Sequence, residues 1–412
     1  MKSLIQDARG RPGDDPIFTI NARANERKAR GEEVVNASLG ALLDDDGKLA
    51  ILPTVFEALR SVPPERAAAY APIAGDRPFL DAVIRDVFGE GAAAQNAVAA
   101  ATPGGTGALL NAMMNFLEPG QALYTTDYYW SPYRIIANHN RRGLETFPMF
   151  DGAGRFQIDA FEEGLVDLVR RQGRALTILN FPCHNPTGYS LDANEWAGVA
   201  DALERASGHG PIALLADLAY AQFGKPESLG WFESLERVAD KVTILAAWTA
   251  SKSFAQYGAR VGALVATVPD EADRTEVANA ISYTCRGSWS NCNHLGLLAV
   301  AELLRDDALA ARIADERARL VALLDERVEA FNREAATRGL RTPRYEGGFF
   351  VAVFTPDARE TARVAAAEGV FVVPMDGAVR VALCAVPEAS VPRLVEAVAR
   401  GVEAAEGAAL ER

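Results

Sequence analysis

Through the middle of the chain, short dense apolar runs alternate with longer stretches in which apolar residues recur at helical spacing. The runs cover residues 97–101, 122–126, 144–149, 175–181, 212–216, 242–248 and 261–267. This alternation is the signature of a βαβ architecture and predicts a mainly parallel sheet. Seven such strands predict one large α/β domain. Residues 297–338 then run 42 positions without Gly or Pro, rich in Ala, Leu, Arg and Glu, and predict one long bent helix or two consecutive ones. Beyond Gly339 the pattern changes to short runs at 348–354, 371–374 and 379–384, closed by a helical stretch at 391–405. These predict a second, smaller α+β domain, and neither a repeat nor a low-complexity linker separates the two.

Composition narrows the partners more than the fold. The 412 residues carry 42 Lys+Arg against 55 Asp+Glu, a net charge of −13, which argues against a generic polyanion binder, nucleic acid included. With 49% hydrophobic and 24% charged residues, the chain can bury a large core. Residues 1–16 mix charge, Gly and Pro with no continuous apolar stretch, so no signal or transit peptide is expected, and the expected location is cytoplasmic. Residues 91–117 are uncharged and long enough to span a membrane, but Ala, Gly, Asn and Thr dominate them and Pro103 sits in the middle; no membrane segment is expected. Cys183, Cys285, Cys292 and Cys384 form no CxxC pair, and His139, His184, His209 and His294 show no HExxH spacing. Reduced, buried thiols and no metal are the expectation.

Ligands of an open α/β sheet bind beyond the carboxyl ends of the strands, so the residues just after each run carry the functional signal. The run ending at Phe181 leads into PCHNPTG (182–188), that ending at Ala216 into DLAY (217–220), and that ending at Trp248 into TASK (249–252). An amide, a carboxylate, a phenol and a lysine thus fall on one sheet edge. The first run leads into PGGTGAL (103–109) and an apolar helix, offering free backbone N–H groups and a positive dipole end to an anion. Neither GxxxxGK[ST] nor GxGxxG occurs there, which disfavours a nucleotide kinase or a nicotinamide dehydrogenase.

A lysine, carboxylate, phenol, amide and phosphate cradle together suit pyridoxal phosphate. Taken in order, HNPTG, DLAY and SKSFAQYGARVG (251–262) resemble the class I pyridoxal-phosphate-dependent aminotransferases, most closely their aspartate and aromatic branch. The resemblance runs from about Asn36 to Cys384 and rests on the motifs' order and spacing together, because Asn-Pro and Thr-Gly alone are ordinary turn vocabulary. It implies fold type I, a three-layer αβα large domain with a seven-stranded mainly parallel sheet plus a smaller α+β domain. The expected boundaries are 1–48 for an N-terminal segment joining the small domain, 49–310 for the large cofactor-binding domain and 311–412 for the small one.

The resemblance also implies roles. Lys252 is the Schiff-base lysine and proton carrier, Asp217 the partner of the pyridinium nitrogen, and Asn185 and Tyr220 the partners of the ring's phenolic oxygen. Arg260 grips the phosphate as a charge-assisted fork, with Gly105, Thr106 and Thr249 completing the cradle. Trp130 stacks on the ring, in a segment crowded by Tyr128, Tyr129 and Tyr133. Tyr70, in YAPIAG, reaches the neighbouring subunit's phosphate, which implies a homodimer with shared active sites.

For the substrate, Arg380 in GAVRVALCAV corresponds to the arginine that holds the α-carboxylate, and Gly40 to the glycine whose bare backbone admits the amino acid. In CRGSWSN (285–291), Arg286 resembles the residue that crosses the interface to bind a second carboxylate. Cys292 and Asn293 replace the prolines that usually come next, and the nearby Trp289 leaves aromatic amino donors open. Gly104 stands where many relatives have serine. The expected reaction is a ping-pong exchange of an amino group between aspartate, glutamate, tyrosine or phenylalanine and a 2-oxo acid. The alternative is a C–S β-lyase or related elimination or cyclisation enzyme on the same scaffold. A regulatory module is disfavoured by the acidic charge and by the roughly 35 residues before Asn36, too few for a winged-helix reader.

Overall fold

The computed structural model describes residues 3–11, 13 and 16–410 of the chain. They divide into two compact units: Leu49–Glu326 with Pro343–Phe350, and Met1–Lys48 with Arg327–Thr342 and Val351–Arg412.

The larger unit is built on seven strands: β1 (Ala97–Pro103), β2 (Ala122–Thr126), β3 (Gly143–Phe147), β4 (Ala175–Leu179), β5 (Ile212–Asp217), β6 (Thr243–Thr249) and β7 (Val261–Thr267). Their spatial order is β1-β7-β6-β5-β4-β2-β3. Every neighbouring pair is parallel except those of β7, which runs against both β1 and β6. Successive side chains leave a strand on opposite faces, and both faces here are apolar. Along β6, Ile244, Ala246 and Trp248 join the core on one side, whereas Leu245 and Ala247 join the core on the other. In the inner strands this double burial explains the continuous apolar runs and makes the unit three-layered, whereas the edge strand β3 leaves Glu145 and Thr146 exposed.

The uncharged stretch 91–117 resolves into helix Ala92–Gln95, β1 and helix α1 (Gly104–Phe116). Among the described residues no helix is long and apolar enough to cross a membrane. Further along come α2 (Ala250–Ser253) and α3 (Glu271–Ser288). The long Gly- and Pro-free stretch forms two helices, His294–Arg305 and α4 (Asp307–Thr337), which meet at Asp306.

In the smaller unit, Val35–Asn36 pairs in parallel with Val370–Phe371. A three-stranded sheet has β9 (Val373–Met375), β10 (Ala378–Ala382) and β8 (Phe350–Phe354) in that order. The single run expected at 371–374 is therefore two short strands in different sheets. A closing helix, Val391–Leu410, extends beyond its predicted end.

This unit holds a fully buried charge. Arg327 donates to the carbonyls of Cys384 and Leu43 and to Asp45 Oδ1, each at 2.8 Å. Replacing it with methionine keeps the bulk but strips these acceptors of a charged donor. Arg327→Met should lower the urea-unfolding free energy by about 3 kcal/mol; a negligible change would show that the site repacks without the charge.

Candidate active site

The one antiparallel strand matters to the site. β1, β2, β4, β5 and β6 all end at one edge of the sheet, and β7, running the other way, begins there. Arg260, just before β7, thus lies at the edge where Asp217 and Thr249 end β5 and β6. A cavity of about 190 Å³ opens at this edge. Gly105, Thr106, Trp130, Asn185, Asp217, Tyr220, Thr249, Lys252 and Arg260, all singled out from the sequence, line it, together with Asn180 and Ser251, which were not.

Asp217 sits deepest in charge terms, 6% exposed. The Tyr133 hydroxyl donates to its Oδ2 at 2.6 Å, and the Ala219 N–H to its Oδ1 at 3.2 Å. Burial pushes its carboxyl above the ordinary value; the Tyr133 and Ala219 hydrogen bonds and the Lys252 charge oppose that rise without cancelling it. Burial, and then the charge of Asp217, holds the Tyr133 phenol far above its usual range, so it stays a donor. Asn180 donates to the Asp217 carbonyl at 2.8 Å and accepts the Asn185 N–H at 2.8 Å, tying the ends of β4 and β5 together.

The anion end is built from backbone and hydroxyls. No side chain caps α1, so its first N–H groups are available to a ligand. Arg260 donates to Ser251 Oγ at 3.3 Å, to the Tyr257 carbonyl at 3.0 Å and to the Pro103 carbonyl at 3.1 Å. Its backbone is left-handed, φ 54°, a conformation that costs energy in a non-glycine residue and recurs at ligand sites. Gly104 also has positive φ, and a Cβ there would overlap the Arg260 guanidinium. A serine at that position would have to displace the Arg260 guanidinium and adopt a left-handed backbone, φ 72°.

Lys252 lies in α2, a single turn capped by Thr249, whose hydroxyl accepts the Ser251 N–H at 3.2 Å. The lysine Nζ stands over the Tyr220 ring, 5.4 Å from its centre. Asn185 Nδ2 donates to the Tyr220 hydroxyl at 3.4 Å. His184 beside it is fully packed, stacked on Phe181 and bonded through Nδ1 to Thr187 Oγ1 at 2.8 Å; burial pushes it down to about 3, which keeps the ring neutral. Trp130 meets Tyr133 edge to face.

Other candidates lie elsewhere. Tyr70 does not line the cavity and is 91% exposed, although His294 braces its loop by donating to the Ala69 carbonyl and pairing with Asp76. Arg286 is exposed at the end of α3 and donates to Ser290 Oγ at 2.7 Å. Gly40 and Arg380 belong to the smaller unit, where Arg380 on β10 donates to the Ser38 carbonyl at 2.7 Å. Among the described residues no group of His, Cys, Asp and Glu is placed to hold a metal. Tyr133 was the main omission; its signal was its place three residues after Trp130, among tyrosines already noticed as crowding that segment.

Residues 32–398 match the class I and II aminotransferases, and the chain belongs to that family. It is 29% identical over 295 residues to an aromatic-amino-acid aminotransferase of Paracoccus denitrificans, covering 70% of this chain and 72% of that protein. An aspartate aminotransferase of Pseudomonas aeruginosa is 28% identical over 312 residues, 72% of this chain and 74% of its own. A solved aminotransferase structure from Anaerococcus prevotii superposes with a TM-score of 0.92 at 33% identity, covering 98% of this chain and all of that one. The protein is a fold type I, pyridoxal-phosphate-dependent transaminase acting on amino acids and 2-oxo acids, and elimination chemistry is not favoured.

The cavity fits that cofactor. A buried carboxylate matches a cationic ring nitrogen, the uncapped helix and Arg260 match a phosphate, and the Lys252 amine lines the same cavity. In the apoprotein, Asp217 binds its proton more tightly folded than unfolded. Its stabilising contribution is therefore fully present below the ordinary value of 3.8 and is lost as pH climbs through the raised one. Urea unfolding of apoprotein from acid to neutral pH should show that loss in the wild type and lack it in Asp217→Asn; superimposable profiles would refute a raised carboxyl.

Proposed function

We propose that the enzyme exchanges amino groups between dicarboxylic or aromatic L-amino acids (aspartate, glutamate, tyrosine, phenylalanine) and 2-oxo acids by a ping-pong cycle, working as a cytoplasmic homodimer. The observation that carries the reading is the convergence of Lys252, Asp217, Asn185, Tyr220 and Arg260 on one cavity. The aromatic and aspartate activities named for relatives support the two substrate classes. Three of the four cysteines are buried and none is in a disulfide, which supports a reducing compartment.

Bound pyridoxal phosphate supplies an electron sink for the substrate's Cα. Asp217 would keep its ring nitrogen protonated, Asn185 and Tyr220 would hold its phenolic oxygen, and Trp130 would stack on its ring. Gly105, Thr106, Thr249, Ser251 and Arg260 would hold its phosphate. Lys252 Nζ, over the Tyr220 ring, would take up the proton from the substrate Cα. Arg380 would hold the α-carboxylate as a charge-assisted fork, and Gly40 would give the amino acid backbone clearance. Tyr70 and Arg286 serve the other subunit's site. Their exposure outside their own cavity supports this, as does the exposure of Ile73 and Tyr283.

The holoenzyme should be yellow and should bleach when L-glutamate is added without an oxo acid; colour that persists with every amino donor would reject transamination. Arg286→Ala should abolish turnover of glutamate while sparing phenylalanine. Equal loss of both would remove Arg286 from the substrate pocket.

A further inference from the structure

Lys252 is carried by a helix of one turn, Ala250–Ser253, and Tyr220 by the start of an equally short turn, Ala221–Phe223. Neither can hold its own shape, because a single turn leaves most of its carbonyls without intrahelical donors. One side chain bonds both. Arg317, on the first half of α4, donates from Nε to the Ser253 carbonyl at 2.9 Å and from Nη1 to Gln222 Oε1 at 3.1 Å. Ser253 is the residue after Lys252, and Gln222 lies two residues after Tyr220. The same guanidinium covers the Phe254 ring at 5.4 Å.

Its counter-charge is equally well placed. Asp86 accepts from Trp248 Nε1 at 2.7 Å, and its charge interacts with that of Arg317. Trp248 immediately precedes Thr249, the cap of the Lys252 turn. Arg317, Gln222, Asp86 and Trp248 all lie in the larger unit, and none of them lines the cavity. Any effect of Arg317 on the reaction is therefore exerted through the two turns it braces.

We propose that Arg317 is a positioning residue that sets the separation of the Lys252 amine and the Tyr220 phenol by bonding the turn behind each. The proposal rests on the reading of those two residues as catalytic. A lysine can reach one of the two acceptors but cannot present a planar fork to both. A small misplacement of the amine is enough to slow proton transfer steeply without altering the carboxylate grip or the phosphate cradle.

The test uses three variants of the full-length protein: Arg317→Lys, Arg317→Met and Gln222→Leu, the last cutting only the Tyr220 arm. In the holoenzyme, Arg317→Lys and Gln222→Leu should lower kcat by about 10- to 100-fold with KM and pyridoxal phosphate affinity little changed. In the apoprotein, amide hydrogen exchange of 218–224 and 250–256 should accelerate together in Arg317→Met, and of 218–224 alone in Gln222→Leu. A loss of stability spread evenly over the larger unit, with kcat intact in the variants that fold, would overturn the proposal. Apoprotein exchange reads the bracing even if the wild type fails to take up cofactor, an outcome that would sink the proposed function and leave the Arg317 result to stand or fall alone.

Discussion

A carboxylate placed at the end of a buried strand is the constraint around which this protein is organised. Asp217 ends β5, a central strand of the seven, where little water reaches. Its charge there is costly unless something positive or hydrogen-bonding faces it. The Tyr133 hydroxyl and the Ala219 amide meet part of that need. The cost that they leave is what raises its carboxyl above the ordinary value. Tyr133 deepens the point. Its phenol donates to the carboxylate and is itself kept protonated by burial and then by that same charge, so it adds no second negative charge beside Asp217.

The rest of the larger unit delivers groups to the same edge. Parallel strands bring the lysine, amide, phenol and carboxylate there by ending at it, and the reversed β7 brings a guanidinium by beginning at it. Arg260 and Gly104 both have left-handed backbones at the head of α1, and the Arg260 guanidinium lies where a Gly104 Cβ would stand.

The long helix α4 carries two arginines with different tasks in its two halves. Arg317 binds the turns behind Lys252 and Tyr220 in the larger unit, and Arg327 binds the carbonyls of Leu43 and Cys384 in the smaller one. Each replaces the donor that a short or irregular segment cannot supply from its own backbone. From the sequence both are ordinary arginines of an amphipathic helix; only their acceptors, distant in the chain, distinguish them.

The strand runs were legible because a strand buried on both faces must be apolar throughout, and the chemistry was legible because it comes directly after those runs. Asp217, Thr249 and Lys252 needed nothing more than the rule that ligands gather at strand ends. The division of the run expected at 371–374 between two sheets was not legible, since two short apolar strands in succession look like one. Nor was Tyr133, whose partner lies 84 residues away, nor Asn180, which falls inside the apolar run at 175–181. By itself the sequence determined the order of the elements and which reactive groups meet at the sheet edge, because both arise from local periodicity. Which buried donors hold those groups in place was decided only by the tertiary structure, because a hydrogen bond between residues remote in sequence leaves no periodic trace.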